Sequence, residues 1–149
     1  MKLDVYLNYN GNCEEAFSFY EQHLAGKITM MMTHGENPEP NNNIPDNWKN
    51  KVLHARMEIG DTVLTGADIP GAEPMRSAYL ALRVDHAEEA ERLYALLGDG
   101  GQIFMKMEET FFASRFGMLR DRFGTSWMLL HERQTTGHPS RERGVHVEQ

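Results

Sequence analysis

Apolar residues recur along this chain with two periods that alternate in a fixed order. In "NGNCEEAFSFYEQHLAG" (10–26), Cys13, Ala16, Phe17, Tyr20 and Leu24 fall on one face of a helix. Asn12 followed by Glu15 predicts a capping box at its start, and Gly26 supplies a left-handed stop. "VDHAEEAERLYALLGDGG" (84–101) repeats the design, with Asp85 and Glu88 as the cap. Its stripe is Ala87, Ala90, Leu93, Tyr94 and Leu97, and Gly98 is its stop. The helices are expected near 13–25 and 86–97. A short strand-like run precedes each one, VYLNY (5–9) and YLALR (79–83). Three more follow each: KITMMMT (27–33), KVLHARMEIG (51–60) and DTVLTGAD (61–68), then QIFMKME (102–108), SRFGMLRD (114–121) and TSWMLLHE (125–132).

Adding 74 to the numbering maps Glu14 onto Glu88, Glu15 onto Glu89, Ala16 onto Ala90 and Tyr20 onto Tyr94. That offset is close to half of 149 residues, so a duplicated βαβββ module is the economical reading. The expected fold class is α+β, one domain over 1–131 built from modules 1–68 and 77–131, joined through "IPGAEPMRS" (69–77). "HGENPEPNNNIPDNWKN" (34–50) suits neither sheet nor helix and is read as an ordered loop or a mobile lid. Residues 132–149 lack an apolar period and are expected to form a disordered tail.

Composition narrows the function classes. The 40% hydrophobic and 25% charged content is that of an ordinary globular domain. A net charge of −7 argues against a nucleic-acid surface, which needs clustered Lys and Arg. No apolar run is long enough for a membrane span, and the first residues, with Asp4 among them, lack the apolar core of a signal peptide. A cytoplasmic location is therefore expected. The single cysteine, Cys13, cannot form an internal disulfide; a small buried residue is the favoured reading, with a thiol activated at the helix start as the alternative.

Paired βαβββ modules resemble the vicinal oxygen chelate superfamily of glyoxalases, extradiol dioxygenases and antibiotic-resistance proteins. Within it the chain looks like the PhnB-like branch, through "YLNYNGNCEEAFSFY", "HARMEIGDTVLTGAD" and "ETFFASRFGMLRDRFGTSWM". It departs at Phe112, where the branch usually has Trp, and at Arg122, where it often has Pro or Lys. The resemblance implies a curved mixed sheet around a cleft and a homodimer whose sheets complete each other. Some members of the branch are described as demethylubiquinone methyltransferases. A methyl donor is normally cradled by a Gly-rich turn after a parallel strand, and no G-x-G element follows any strand here.

The resemblance also implies a divalent metal held by His or Glu on the first and last strand of each module. By the family pattern those positions are Val5, Leu64, Tyr79 and Met128. Aliphatic groups, a phenol and a thioether make no hard-metal site, so neither metal nor cofactor is expected. His131 and Glu132 come too late in the last strand and are read as rim residues.

The cleft is then expected to be an organic pocket. On strand 51–60, Leu53, Ala55, Met57 and Ile59 alternate with His54, Arg56 and Glu58, which places the three polar groups on the face away from the helix. His54 is read either as a polar anchor for a ligand or as a group held by Glu58 or Arg56. Val5, Leu7, Tyr9, Tyr79, Ala81 and Met128 are the apolar candidates, with Phe111 and Phe112 as a possible wall. The leading expectation is a binding protein for an unidentified small molecule. Its rival is a lyase, isomerase or dioxygenase-type enzyme using a relocated metal or His54 as general base.

Overall fold

The computed structural model describes residues 1–39 and 43–133. The duplication is present. Module 1 runs β1 (Val5–Tyr9), α1 (Cys13–His23), β2 (Gly26–Thr33), β3 (Val52–Ile59), β4 (Thr62–Asp68). Module 2 runs β5 (Leu80–Arg83), α2 (Ala87–Gly98), β6 (Gln102–Glu108), β7 (Ala113–Arg120), β8 (Ser126–Glu132). Each module folds its four strands into a separate mixed sheet, sheet A ordered β1-β4-β3-β2 and sheet B ordered β5-β8-β7-β6. The outer strand of each is parallel to its neighbour, with Val5 beside Leu64 and Leu80 beside Trp127. A helix must connect such strands, which is why the helical pattern follows the first strand of each module.

One face of each sheet packs on its helix. Leu7, Tyr9, Ala55, Met57 and Leu64 join Phe17 and Tyr20 of α1; Leu119, Trp127 and Leu129 join Leu93 and Leu97 of α2. These residues belong to a single core, so both modules are bonded through their helical sides. A buried polar knot fastens the junction. Tyr9 shares a 2.9 Å hydrogen bond with the Thr125 hydroxyl, and Tyr20 donates to the Asp121 carboxylate at 2.5 Å. Trp127 Nε1 donates to the same carboxylate oxygen at 2.8 Å.

Both predicted caps are absent as written. Neither α1 nor α2 has a side-chain cap bond, and α2 is preceded by His86 at the capping position, not Asp85. At α1 the amides of Gly11 and Cys13 are taken instead by Asp68, buried at the end of β4. The 34–50 segment is tied down where it is described. It forms short 3-10 turns at His34–Glu36 and Asp46–Trp48, and His34 Nε2 bonds the Asp68 carbonyl at 2.9 Å. The expected tail begins too early: Glu132 is in β8 and Arg133 bonds Glu109 and Thr110, whereas 134–149 lie outside the described residues. No helix among the described residues is long and apolar enough to cross a membrane.

Candidate functional site

Each sheet has a second face, away from its helix, and it is here that chemistry is exposed. On sheet A, alternation along β3 puts His54, Arg56 and Glu58 on this open face while Ala55 and Met57 are fully buried. Arg56 donates to Glu58 at 3.1 Å and to the Thr29 hydroxyl at 3.0 Å. His54 takes no part in that pairing, which corrects the expectation that Glu58 or Arg56 holds it. Its ring lies against Tyr6, with centroids 6.2 Å apart, and neither ring nitrogen makes a hydrogen bond among the described residues.

The open face of sheet B is aromatic. Tyr79 and Phe104 meet edge to face with centroids 6.3 Å apart, and Phe112 meets Phe116 in the same way at 5.1 Å. Three inter-strand steps separate β5 from β6, roughly 14 Å on a flat sheet. Contact between Tyr79, immediately before β5, and Phe104 of β6 therefore draws the two edges of the sheet toward each other into a trough. Met118 and Met128 are paired on the same face, and Arg120 lays its guanidinium over the Phe104 ring, 5.3 Å from the centroid. Phe104 is 40% exposed and Phe112 44% exposed, so the aromatic part of this face is open among the described residues, while Met75 of the linker covers Ser126 at its end. Phe111 stands beside Phe112 and is almost wholly solvated.

The sequence-derived residues are thus divided. His54, Arg56 and Glu58 share the open face of sheet A; Tyr79, Phe112 and Met128 go with sheet B. No hydrogen bond or ring contact links the two groups among the described residues. Leu7 is corrected outright: it is buried in the core against the helix, as is Tyr9, and Tyr6 occupies the open face in their place. Val5 packs toward the core too, and meets Tyr79 only in a cavity of about 450 Å³ at the seam between the modules. Leu64, Leu80, Leu82 and Trp127 also line that cavity, and Arg83 on its wall is paired with Glu132 at 2.8 Å. His131 accepts or donates a short bond with Ser114 at 2.5 Å, and Cys13 is fully buried with its thiol pushed well up by burial and by Asp68, so it is no nucleophile. Phe104, Phe116, Met118 and Arg120 were not singled out as site residues from the sequence. The signal existed, because in "RFGMLR" Phe116, Met118 and Arg120 alternate with Gly117 and Leu119.

Residues 1–130 match the family described as 3-demethylubiquinone-9 3-methyltransferase. The chain belongs to this family. Among solved structures it is similar to protein PA1353 from Pseudomonas aeruginosa, at 41% identity and TM-score 0.79, covering 90% of this chain and 99% of that one. The PhnB protein from Bacillus cereus matches at 22% identity and TM-score 0.73, over 88% of this chain and 99% of that one. A glyoxylase/bleomycin resistance protein/dioxygenase domain from Frankia sp. EAN1pec shares the fold at 13% identity and TM-score 0.61, over 89% of this chain and 98% of that one. The PhnB-like resemblance and the α+β two-module fold therefore stand.

The superfamily resemblance implies a metal and the family's description a methyl donor, and the residues fit neither. Val5 and Leu64 of the four metal positions point toward the core, while their neighbours on the open face are Tyr6 and Thr65. On sheet B the open positions paired across β5 and β8 are Ala81 with Met128 and Arg83 with Leu130. None offers imidazole or carboxylate, and no group of three His, Cys, Asp or Glu side chains converges among the described residues. For the methyl donor, the turn from β1 into α1 is the natural place for an anionic cofactor group. The Asp68 carboxylate already occupies it, 2.9 Å from both the Gly11 and Cys13 amides. At α2, Glu88 and Glu89 sit in the first turn and repel an anion.

Proposed function

We propose that this family member is a cytoplasmic small-molecule-binding protein, homodimeric and independent of the superfamily metal. The observation that carries the reading is the aromatic trough of sheet B, an apolar wall with a few polar groups, which is the make-up of an organic ligand site. In the dimer, the open face of sheet A from one copy covers the trough of the other, and His54 supplies a hydrogen bond to the ligand. Arg56 and Glu58 frame the same cleft. Two features favour pairing: β1 and β5 each pair on one side only among the described residues, and the uncovered faces carry Tyr6, Met30, Phe104 and Phe112. Sedimentation at micromolar concentration is expected to give a particle of twice the 17.1 kDa chain mass; a 17.1 kDa particle would remove the dimer from the proposal.

The test of binding is a thermal-shift screen of metabolites and drugs on chelator-treated protein. A ligand at a hundred times its Kd stabilises by about 2.7 kcal/mol, a shift of roughly 5–10 °C for a chain of this size. For such a ligand, His54→Ala is expected to weaken binding up to about tenfold while moving stability by less than about 0.5 kcal/mol. Unchanged affinity, or unfolding, would make His54 structural. The free imidazole also supports a second reading, a lyase, isomerase or dioxygenase-type enzyme with His54 as base or with a metal at another position. Stoichiometric Zn, Mn, Fe or Ni in protein purified without a metal-affinity tag would favour that second reading.

A further inference from the structure

Arg120 differs from the other arginines on the open faces. Arg56 and Arg83 are neutralised by Glu58 and Glu132. Arg120 instead donates Nε to the Met75 carbonyl at 3.1 Å and rests its guanidinium plane on Phe104. Its side chain makes no ion pair and no other hydrogen bond among the described residues. One nitrogen and one ring thus fix the group, and the outer N–H donors remain unused at the end of the trough. A planar fork held this way is prepared for a carboxylate or sulfonate, because little side-chain freedom is left to lose when the anion arrives. The wall beside it consists of Tyr79, Phe104, Met118 and Phe116. Phe116 precedes Arg120 by four residues on β7, about 13 Å along an extended strand, which is the length of two or three fused or linked aromatic rings. Aromatic rings and thioethers on such a wall favour edge and offset contacts with a planar ligand.

We propose that the trough of sheet B takes a planar aromatic molecule carrying one anionic group, and that Arg120 selects the ligand by pairing with that group. The proposal rests on the small-molecule reading above, and a matched pair of fluorescent probes separates the two. 8-Anilinonaphthalene-1-sulfonate and N-phenyl-1-naphthylamine share one aromatic body and differ in the sulfonate. With the folded native protein the sulfonated probe is expected to bind at least tenfold tighter. Arg120→Gln is expected to weaken the sulfonated probe about tenfold and to leave the neutral one within twofold. Arg120→Lys, which keeps a point charge without the fork, is expected to fall between Arg and Gln and provides the test should the glutamine variant not fold. Equal affinity of the two probes for the native protein, or equal weakening of both by Arg120→Gln, would overturn the role of Arg120 and leave the small-molecule reading intact. Binding of neither probe would overturn both.

Discussion

Asp121→Ala is expected to lower the melting temperature by roughly 8–16 °C, the equivalent of about 4 kcal/mol in a chain of this length. Asp121 is 4% exposed and its carboxylate accepts from five donors. One oxygen takes the amides of Phe123, Gly124 and Thr125, each at 3.0 Å, and so closes the turn between β7 and β8. The other takes the Tyr20 hydroxyl and the Trp127 indole. Tyr20 belongs to module 1 and the rest to module 2, so the same side chain shapes a turn and joins the modules. Alanine leaves these donors in a site without room for bulk water, and each buried unsatisfied donor costs about 1–3 kcal/mol. Tyr20→Phe removes only one donor and is expected to cost about 1 kcal/mol, since the carboxylate keeps its other partners. Urea denaturation of both variants measures this. A loss below about 1.5 kcal/mol for Asp121→Ala would mean that the junction is held by apolar packing alone.

That knot also marks the boundary of what the sequence could disclose. Local periodicity placed both helices within two residues of their observed ends and found all eight strands, because the core faces largely obey the helical and strand periods. The open faces followed from the same alternation where it was applied: His54, Arg56 and Glu58 do lie together on β3. On β1 the alternation holds but its faces are reversed, because the family's spacing sets Val5, and with it Leu7 and Tyr9, on the cleft side. Leu7 and Tyr9 are core residues and Tyr6 is the exposed one. Contacts across the modules were not legible. Nothing near Tyr20 in the sequence announces Asp121, a hundred residues on, and nothing near Asn12 announces that its capping work is done from Asp68. A local box was readable and passed over: in "THGE", Glu36 accepts from the Thr33 amide at 2.8 Å and opens the turn that follows β2.

Removing the Asp68 carboxylate is the second change expected to be severe, with Asp68→Ala costing about 3 kcal/mol or more. The side chain is fully buried at the end of β4. One oxygen accepts the Gly11 and Cys13 amides at 2.9 Å, and the other accepts the Val52 amide at 2.8 Å. Asp68 thereby fixes the turn from β1 into α1 and the start of β3, the strand that carries His54. Its negative charge also faces the positive end of the α1 dipole, which adds to the stabilisation of the helix start. Asp68→Asn keeps one acceptor oxygen for the first two amides but turns an NH₂ toward the Val52 N–H, so its cost is expected to lie near 1–2 kcal/mol. Hydrogen exchange distinguishes these contributions. Asp68→Ala should strip protection from the amides of Gly11, Cys13 and Val52, whereas Asp68→Asn should expose Val52 first. The His34 bond to the Asp68 carbonyl uses the main chain and is expected to survive in either variant, which separates loss of the carboxylate from loss of the contact made by His34. Were all three amides to remain protected in Asp68→Ala, the helix start and the His54 strand would owe their positions to the apolar core around Phe17, and Asp68 would be dispensable.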